Sequence, residues 1–175
     1  ADVGVMLRGE RGGWTGEASS RTSIELPGIQ KELIREVASL GKPVVLVLLN
    51  GRPLALEDEF GLVDGMLEAW FPGSAGAGAV ADVLFGAHNP SGKLTMTFPR
   101  VTGQIPIHYN MKNTGRPVDP ANPDYKFTSR YLDTPNEPLF PFGYGLSYTT
   151  FDYSDLRVSS GQIGMEDSLE VTVTV

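Results

Sequence analysis

Residues 27–50 read PGIQKELIREVASLGKPVVLVLLN, and this stretch decides the fold. Its first half places Ile29, Leu33, Ile34, Val37 and Leu40 on one face of a helix. Pro27 sits near the first turn, where its missing N–H has no helical partner to lose, and Gly41 supplies a stop. The second half, Val44 to Asn50, is continuously apolar and β-branched, as a strand covered on both faces should be. A helix feeding a buried strand belongs to an α/β layered fold.

The flanking segments extend the same rhythm. Upstream, Val3 to Leu7 (VGVML) is a short apolar run that reads as a buried strand. Downstream, a polar GRP turn at positions 51–53 ends the Val44–Asn50 strand, and Asp64 to Phe71 (DGMLEAWF) reads as a further strand. Ala75 to Phe85 then reads as a helix, with Val80, Ala81, Leu84 and Phe85 facing inward and Gly86 at its C-cap. Strand, helix, strand, short helix, strand, helix predicts a layered α/β sandwich with a mainly parallel sheet over residues 1–98. Loops that follow the strands of such a sheet lie along one edge, where these folds bind ligands. One of them, RGERGGWTGEASSRTS at 8–23, is too irregular for either period and too long for a simple turn. Loops of that length inside a compact domain are usually functional.

After Asn89 the rhythm breaks, and most of the 13 prolines lie beyond that point. Residues 99–148 read as an ordered connector. Their aromatics (Tyr109, Tyr125, Phe127, Tyr131, Phe140, Phe142, Tyr144 and Tyr148) are more than a floppy linker would carry. Phe151–Val158 and Leu169–Val175 alternate apolar and polar residues like half-buried strands of a β-sandwich. Two strands do not make a sandwich, so residues 149–175 are expected to open a domain that continues past the chain.

Composition narrows the chemistry. The 175 residues are 41% hydrophobic and 20% charged, enough apolar material for a buried core. The net charge of −7 argues against a nucleic-acid surface, which needs clustered Lys and Arg. The absence of cysteine excludes disulfides, thiolate nucleophiles and Cys-ligated zinc. The longest apolar run is strand-sized, well short of the ~20 residues that span a bilayer. His88 and His108 lie in no metal spacing and near no G-x-S-x-G elbow. Gly73, Gly76 and Gly78 open a helix but match neither phosphate-binding fingerprint, and close helix–sheet contact is expected to account for them. No cofactor and no metal are implied.

Several long blocks, in order, resemble glycoside hydrolase family 3, in particular bacterial periplasmic-type β-glucosidases. They are GEASSRTSIELPGIQKELIREVASLGKPVVLVLLNGRPLAL (16–56), AWFPGSAGAGAVADVLFGAHNPSGKLTMTFPR (69–100), GQIPIHYN (103–110), NTGRP (113–117), SRYLD (129–133) and PLFPFGYGLSYTTF (138–151). The resemblance implies a retaining β-glycosidase of three modules. An N-terminal barrel carries an aspartate nucleophile, an α/β sandwich reaches over the pocket with a loop holding a glutamate acid/base, and a fibronectin type III-like sandwich follows in many members. This chain resembles the latter part of the second module, the connector, and the first strands of the third. The implied partners are a β-linked glucoside or oligosaccharide and the barrel domain of the same parent protein, with no nucleic acid and no membrane. The implied location is periplasmic or secreted, with the export signal outside this chain.

Many family members carry the acid/base as Glu-Gly-x-Asp-Arg. The matching stretch here is Glu17-Ala18-Ser19-Ser20-Arg21, which keeps the Glu-to-Arg spacing and departs at Ala18 and Ser20. The resemblance therefore assigns Glu17, within the loop 8–27, as the acid/base. Glu10, in a Gly-Glu pair after the first strand, is the alternative. A free glutamate titrates near ~4.3, so whichever residue fills the role needs a second carboxylate or burial to hold a proton near neutrality. Arg21 is expected to support the loop through a carboxylate or a backbone carbonyl. Trp14 either lines the sugar site or holds the loop down. Asn50-Gly51-Arg52-Pro53 is expected to be a structural turn. A non-catalytic carbohydrate-binding or docking module on the same fold is the alternative function, since a fold does not fix an activity.

Overall fold

A computed structural model describes all residues, Ala1–Val175. Three strands, β1 (Gly4–Gly9), β2 (Val44–Leu49) and β3 (Gly65–Glu68), form one sheet in the order β1-β2-β3 with both pairings parallel. The helices α1 (Gln30–Ala38) and α2 (Glu57–Phe60) lie in the two crossovers, and α3 (Gly76–Leu84) follows β3. This is the predicted rhythm, with parallel strands. In β2, Leu46, Val47 and Leu48 are fully buried, so successive side chains on opposite faces are both covered. Edge strand β1 differs: only Met6 is buried, while Val5 and Leu7 are exposed.

The core forms where one face of the sheet meets α1 and the segments that follow the sheet. Met6, Leu26, Ile34, Val44, Leu46, Leu48, Leu54, Leu56, Phe98 and Phe140 make one buried cluster. Within α1, Ile34 is buried and Val37 packs against the cluster; of the rest of the predicted apolar face, Leu33 inside the helix is exposed, and Ile29 and Leu40 flank the helix and are exposed too. The helix is tied to α2 by charge. Lys31 Nζ lies 3.6 Å from both Asp58 and Glu59, and Arg35 lies 3.3 Å from Asp58.

Two expectations about α3 need correction. Val80, Ala81 and Leu84 are half-buried, but Phe85 is 87% exposed, because it is the C-cap residue and the helix has already ended there. The glycines that open α3 are not explained by contact with the sheet. A Cβ on Gly76 would meet Pro72 at 2.4 Å, Gly73 adopts φ 72, and Gly78 faces open space. The constraint is the local Pro72–Gly73 turn.

The connector is ordered through a few anchors. Phe98 pairs with Phe140 in an antiparallel bridge, Phe98 N–H donating to Phe140 O at 2.8 Å, and Leu94 N–H donates to Tyr144 O at 2.8 Å. Phe140 thereby enters the core edge-on to Phe60, with ring centroids 5.1 Å apart. Buried Gln104 donates to Pro135 O at 2.8 Å and accepts from Arg100 N–H at 2.6 Å. Most other connector aromatics pair at the surface, among them Tyr109 with Phe142 and Tyr125 with Phe127. The last strands, β4 (Ser154–Val158) and β5 (Val171–Thr174), form an antiparallel hairpin, and every residue from Phe151 to Val175 is exposed. No helix is long and apolar enough to cross a membrane.

Candidate active site

The site grows from the C-terminal edge of the sheet. At the end of β1, Gly9 has φ 142, and a Cβ there would meet Leu49 O at 2.0 Å, so the chain hugs β2 as only glycine allows. Gln30, the first residue of α1, clasps Gly9 on both sides, accepting from its N–H and donating to its O, each at 2.9 Å. Glu10 N–H continues the ladder to Leu49 O at 2.9 Å. In register, Glu10 therefore stands beside Asn50, the residue that follows β2.

From this fixed root the loop runs outward. The Glu10 side chain is fully buried, and each of its oxygens meets one guanidinium: Oε1 accepts from Arg21 at 2.5 Å, and Oε2 accepts from Arg52 Nε at 3.2 Å. Arg52 also donates to the backbone oxygens of Trp14 and, at 2.8 Å, of Ser19. Arg21 donates as well to Glu25 O at 3.1 Å, so both expected modes of support occur together. Thr15 presses on Gly51, where a Cβ would meet Thr15 Cγ2 at 2.4 Å and Phe71 at 2.7 Å. The Asn50–Pro53 segment is a structural turn that braces this loop.

Glu17 stands at the apex. It is exposed, and no donor of the chain reaches its carboxylate; only its backbone oxygen is used, by Ser19 Oγ at 3.3 Å. Gly16 at φ 105 and Ala18 at φ 57 flank it, both in the left-handed region. For Ala18 that conformation costs on the order of 1 kcal/mol, and the Glu-Gly-x-Asp-Arg pattern puts glycine at this position, where the cost vanishes. Trp14 is covered by Arg11 and Arg21, whose guanidinium carbons lie 4.7 and 5.2 Å from its ring centre. Of its two expected roles, holding the loop down is the one these contacts serve. Glu10 and Glu17 thus share one loop but occupy opposite situations, one buried and paired at both oxygens, the other open.

A third acidic group is not marked by the sequence. Glu68 ends β3 beside Leu48, accepts from Trp70 N–H at 2.8 Å and from Asn50 Nδ2 at 3.2 Å, and Asn50 Nδ2 also donates to Arg52 O at 2.8 Å. Trp70 holds φ 50, its ring 5.8 Å from Phe98. Burial pushes the Glu68 carboxyl up to about 7, against the opposing effect of its two hydrogen-bond donors. Inside the run DGMLEAWF it resembles an ordinary solvent-face residue; its position at a strand's C-terminal end was the only signal.

Between its ordinary value and about 7, folded Glu68 keeps a proton that the unfolded chain has released, so its contribution to stability falls as pH rises through that window. Glu68→Gln removes the cost of the buried charge. The variant is expected to gain on the parent by up to about 3 kcal/mol between about pH 5 and about pH 8, read from urea midpoints. A gap that stays constant with pH would show that Glu68 does not titrate in this window.

Elsewhere, no three His, Asp or Glu side chains converge as metal ligands. A shallow concavity between Asp155, Arg157 and Thr172–Thr174 lies on the β4–β5 hairpin and contains none of the loop residues. The acidic chemistry is at the sheet edge.

The chain is similar to known proteins over most of its length. Residues 1–148 match the family model of the glycosyl hydrolase family 3 C-terminal domain. The chain is 54% identical, over its whole length, to 23% of a periplasmic β-glucosidase of Salmonella typhimurium. It is 39% identical to 23% of a β-xylosidase of Formosa agariphila, again over its whole length. Among solved structures, the β-glucosidase of Listeria innocua in complex with isofagomine superposes with a TM-score of 0.83 at 50% identity, over 91% of this chain and 22% of that one. The chain therefore spans under a quarter of the length of the relatives it matches.

Proposed function

The chain belongs to glycoside hydrolase family 3, and on that premise we propose that it supplies the general acid/base of a retaining, exo-acting β-glucosidase. Glu17 is the proton donor. The nucleophile is an aspartate of an N-terminal barrel domain in the same protein, and the substrate is a terminal β-linked glucoside or oligosaccharide.

Retention needs two carboxyls about 5–5.5 Å apart, one attacking C1 and one protonating the leaving oxygen. Glu17 protonates that oxygen as the glycosyl–enzyme bond forms, then takes a proton from the water that breaks it. One observation carries the choice of Glu17: its carboxylate is unpartnered at the tip of a braced loop, whereas both Glu10 oxygens are committed to arginines. A proton donor must be free to bond the glycosidic oxygen. Glucose is favoured over xylose by the higher identity to the β-glucosidase relative, 54% against 39%. That relative's name also supports a periplasmic location.

In this reading residues 1–98 form the α/β module, 99–148 the connector, and 149–175 the opening of a fibronectin type III-like sandwich. The exposed hairpin β4–β5 supports the last assignment, because alternating strands with both faces bare call for a second sheet.

Following anomers by NMR tests the function. The full-length protein acting on an aryl β-glucoside is expected to release β-glucose first, and the isolated chain to show no turnover above background. Initial release of α-glucose, or turnover by the chain alone, would contradict the proposal.

A further inference from the structure

We propose that Glu10 is a positioning residue: by gripping Arg21 and Arg52 it fixes the loop tip that carries Glu17. This rests on Glu17 being the acid/base and goes beyond it, because it gives the buried glutamate a part in the same reaction.

Three observations join here. The first is placement. Glu10 is the residue immediately after β1, tied to Leu49 O by its N–H, and its side chain is fully buried. Its own position is therefore set by the sheet.

The second is the reach of its partners. Arg52 comes from the turn after β2, and Glu10 Oε2 orients its guanidinium at 3.2 Å. The far nitrogen of that fork then holds the backbone oxygens of Trp14 and Ser19. These two residues bracket Thr15–Ala18, the tip with Glu17 in it. Arg21 meets the other carboxylate oxygen and pins the returning strand of the loop to Glu25 O. One carboxylate thus orders both sides of the loop.

The third is what the tip lacks. Glu17 has no side-chain partner, and its neighbours Gly16 and Ala18 sit in the left-handed region. No polar contact at the tip fixes the carboxylate; Thr15 packs on Gly51, and the hydrogen bonds that hold the tip are those at residues 14 and 19. A planar guanidinium is suited to this because its donors are held in one rigid fork, and a lysine ammonium cannot reproduce that geometry.

Displacing a reacting group by about 1 Å costs up to about 10²-fold. Misplacing Glu17 would cost most where proton donation is needed, and that separates positioning from mere folding. The test uses the full-length protein and kcat/KM on two substrates, methyl β-glucoside, whose leaving group needs a proton, and dinitrophenyl β-glucoside, whose leaving group does not. Glu10→Gln keeps shape and removes charge, while Arg52→Lys keeps charge and removes the fork.

Both variants are expected to lose about 10–100-fold on the methyl glucoside and to stay within about 3-fold on the dinitrophenyl glucoside. Both should form far less glycosyl azide than Glu17→Gln when azide is added, because the Glu17 carboxylate is still present. If Glu10→Gln does not fold, Arg52→Lys alone decides. Equal losses on the two substrates, or no loss, would overturn the inference and leave Glu10 a structural residue. A loss for Glu10→Gln as large as that for Glu17→Gln, with glycosyl azide in comparable yield, would also overturn it, by making Glu10 the acid/base. The Glu17→Gln variant run beside them keeps the two claims separate. If it shows the acid/base signature while the clamp variants do not lose selectively, only the clamp fails. If Glu17→Gln itself lacks that signature, the assignment of Glu17 fails.

Discussion

Glu17→Gln in the full-length protein is expected to lower kcat/KM for alkyl β-glucosides by about 10³-fold, within the range of about 10²–10⁴ that general acid catalysis supplies. For dinitrophenyl β-glucoside the change should be under about 5-fold, because that leaving group departs without a proton. Glutamine has the size of glutamate and no acidic proton, and Glu17 makes no side-chain contact whose loss would disturb the loop. The substitution is therefore nearly pure in its chemistry. Hydrolysis of the glycosyl–enzyme should slow as well, since the same carboxylate then acts as base. Azide, which needs no base, should intercept that intermediate and give a β-glycosyl azide. An equal effect on both substrates would move the acid/base to another residue.

The second large effect concerns the join between sheet and connector. Phe98→Ala is expected to remove about 3–5 kcal/mol of stability, the usual loss for a buried phenylalanine cut to alanine. Phe98 is 1% exposed, touches Trp70 and Phe140 through its ring, and exchanges backbone hydrogen bonds with residues 139–140. The lost ring would leave a cavity beside Trp70 and Phe140, while the backbone bridge to residues 139–140 stays in place. Urea unfolding followed by tryptophan emission reads the loss, with Trp70 reporting directly on the site. A cost below about 1 kcal/mol would mean that the connector merely lies on the sheet and its aromatics do not complete the core.

The parts of the fold that could be read in advance are those in which one element declares itself. The β2 run is buried on both faces, as its unbroken apolar sequence implies, and the helix period around Ile34 and Val37 puts α1 over the core. What could not be read depends on partners distant in sequence. Phe85 looks like the end of an apolar face, yet it stands in solvent because α3 stops one residue earlier. Phe140 looks like one more connector aromatic, and only its bridge to Phe98, 42 positions away, brings it inside.

The site divides in the same way. The glutamate pair was visible in the loop, and the Glu-to-Arg spacing pointed to Glu17. That Glu10 is paired at both oxygens was not visible, because Arg52, also 42 positions distant, reaches it only through the parallel register of β1 and β2. The departure at Ala18 also acquires a physical meaning, since φ 57 is the conformation for which glycine is the natural choice.

The central claim is that Glu17 meets the bond that breaks. A crystal structure of the full-length protein with a glucose-configured inhibitor bearing a basic nitrogen at the glycosidic position measures this directly. A Glu17 carboxylate oxygen is expected within about 2.6–3.2 Å of that nitrogen, with Glu10 still gripped by Arg21 and Arg52. A Glu17 turned to solvent, with another acidic group on the nitrogen, would contradict it.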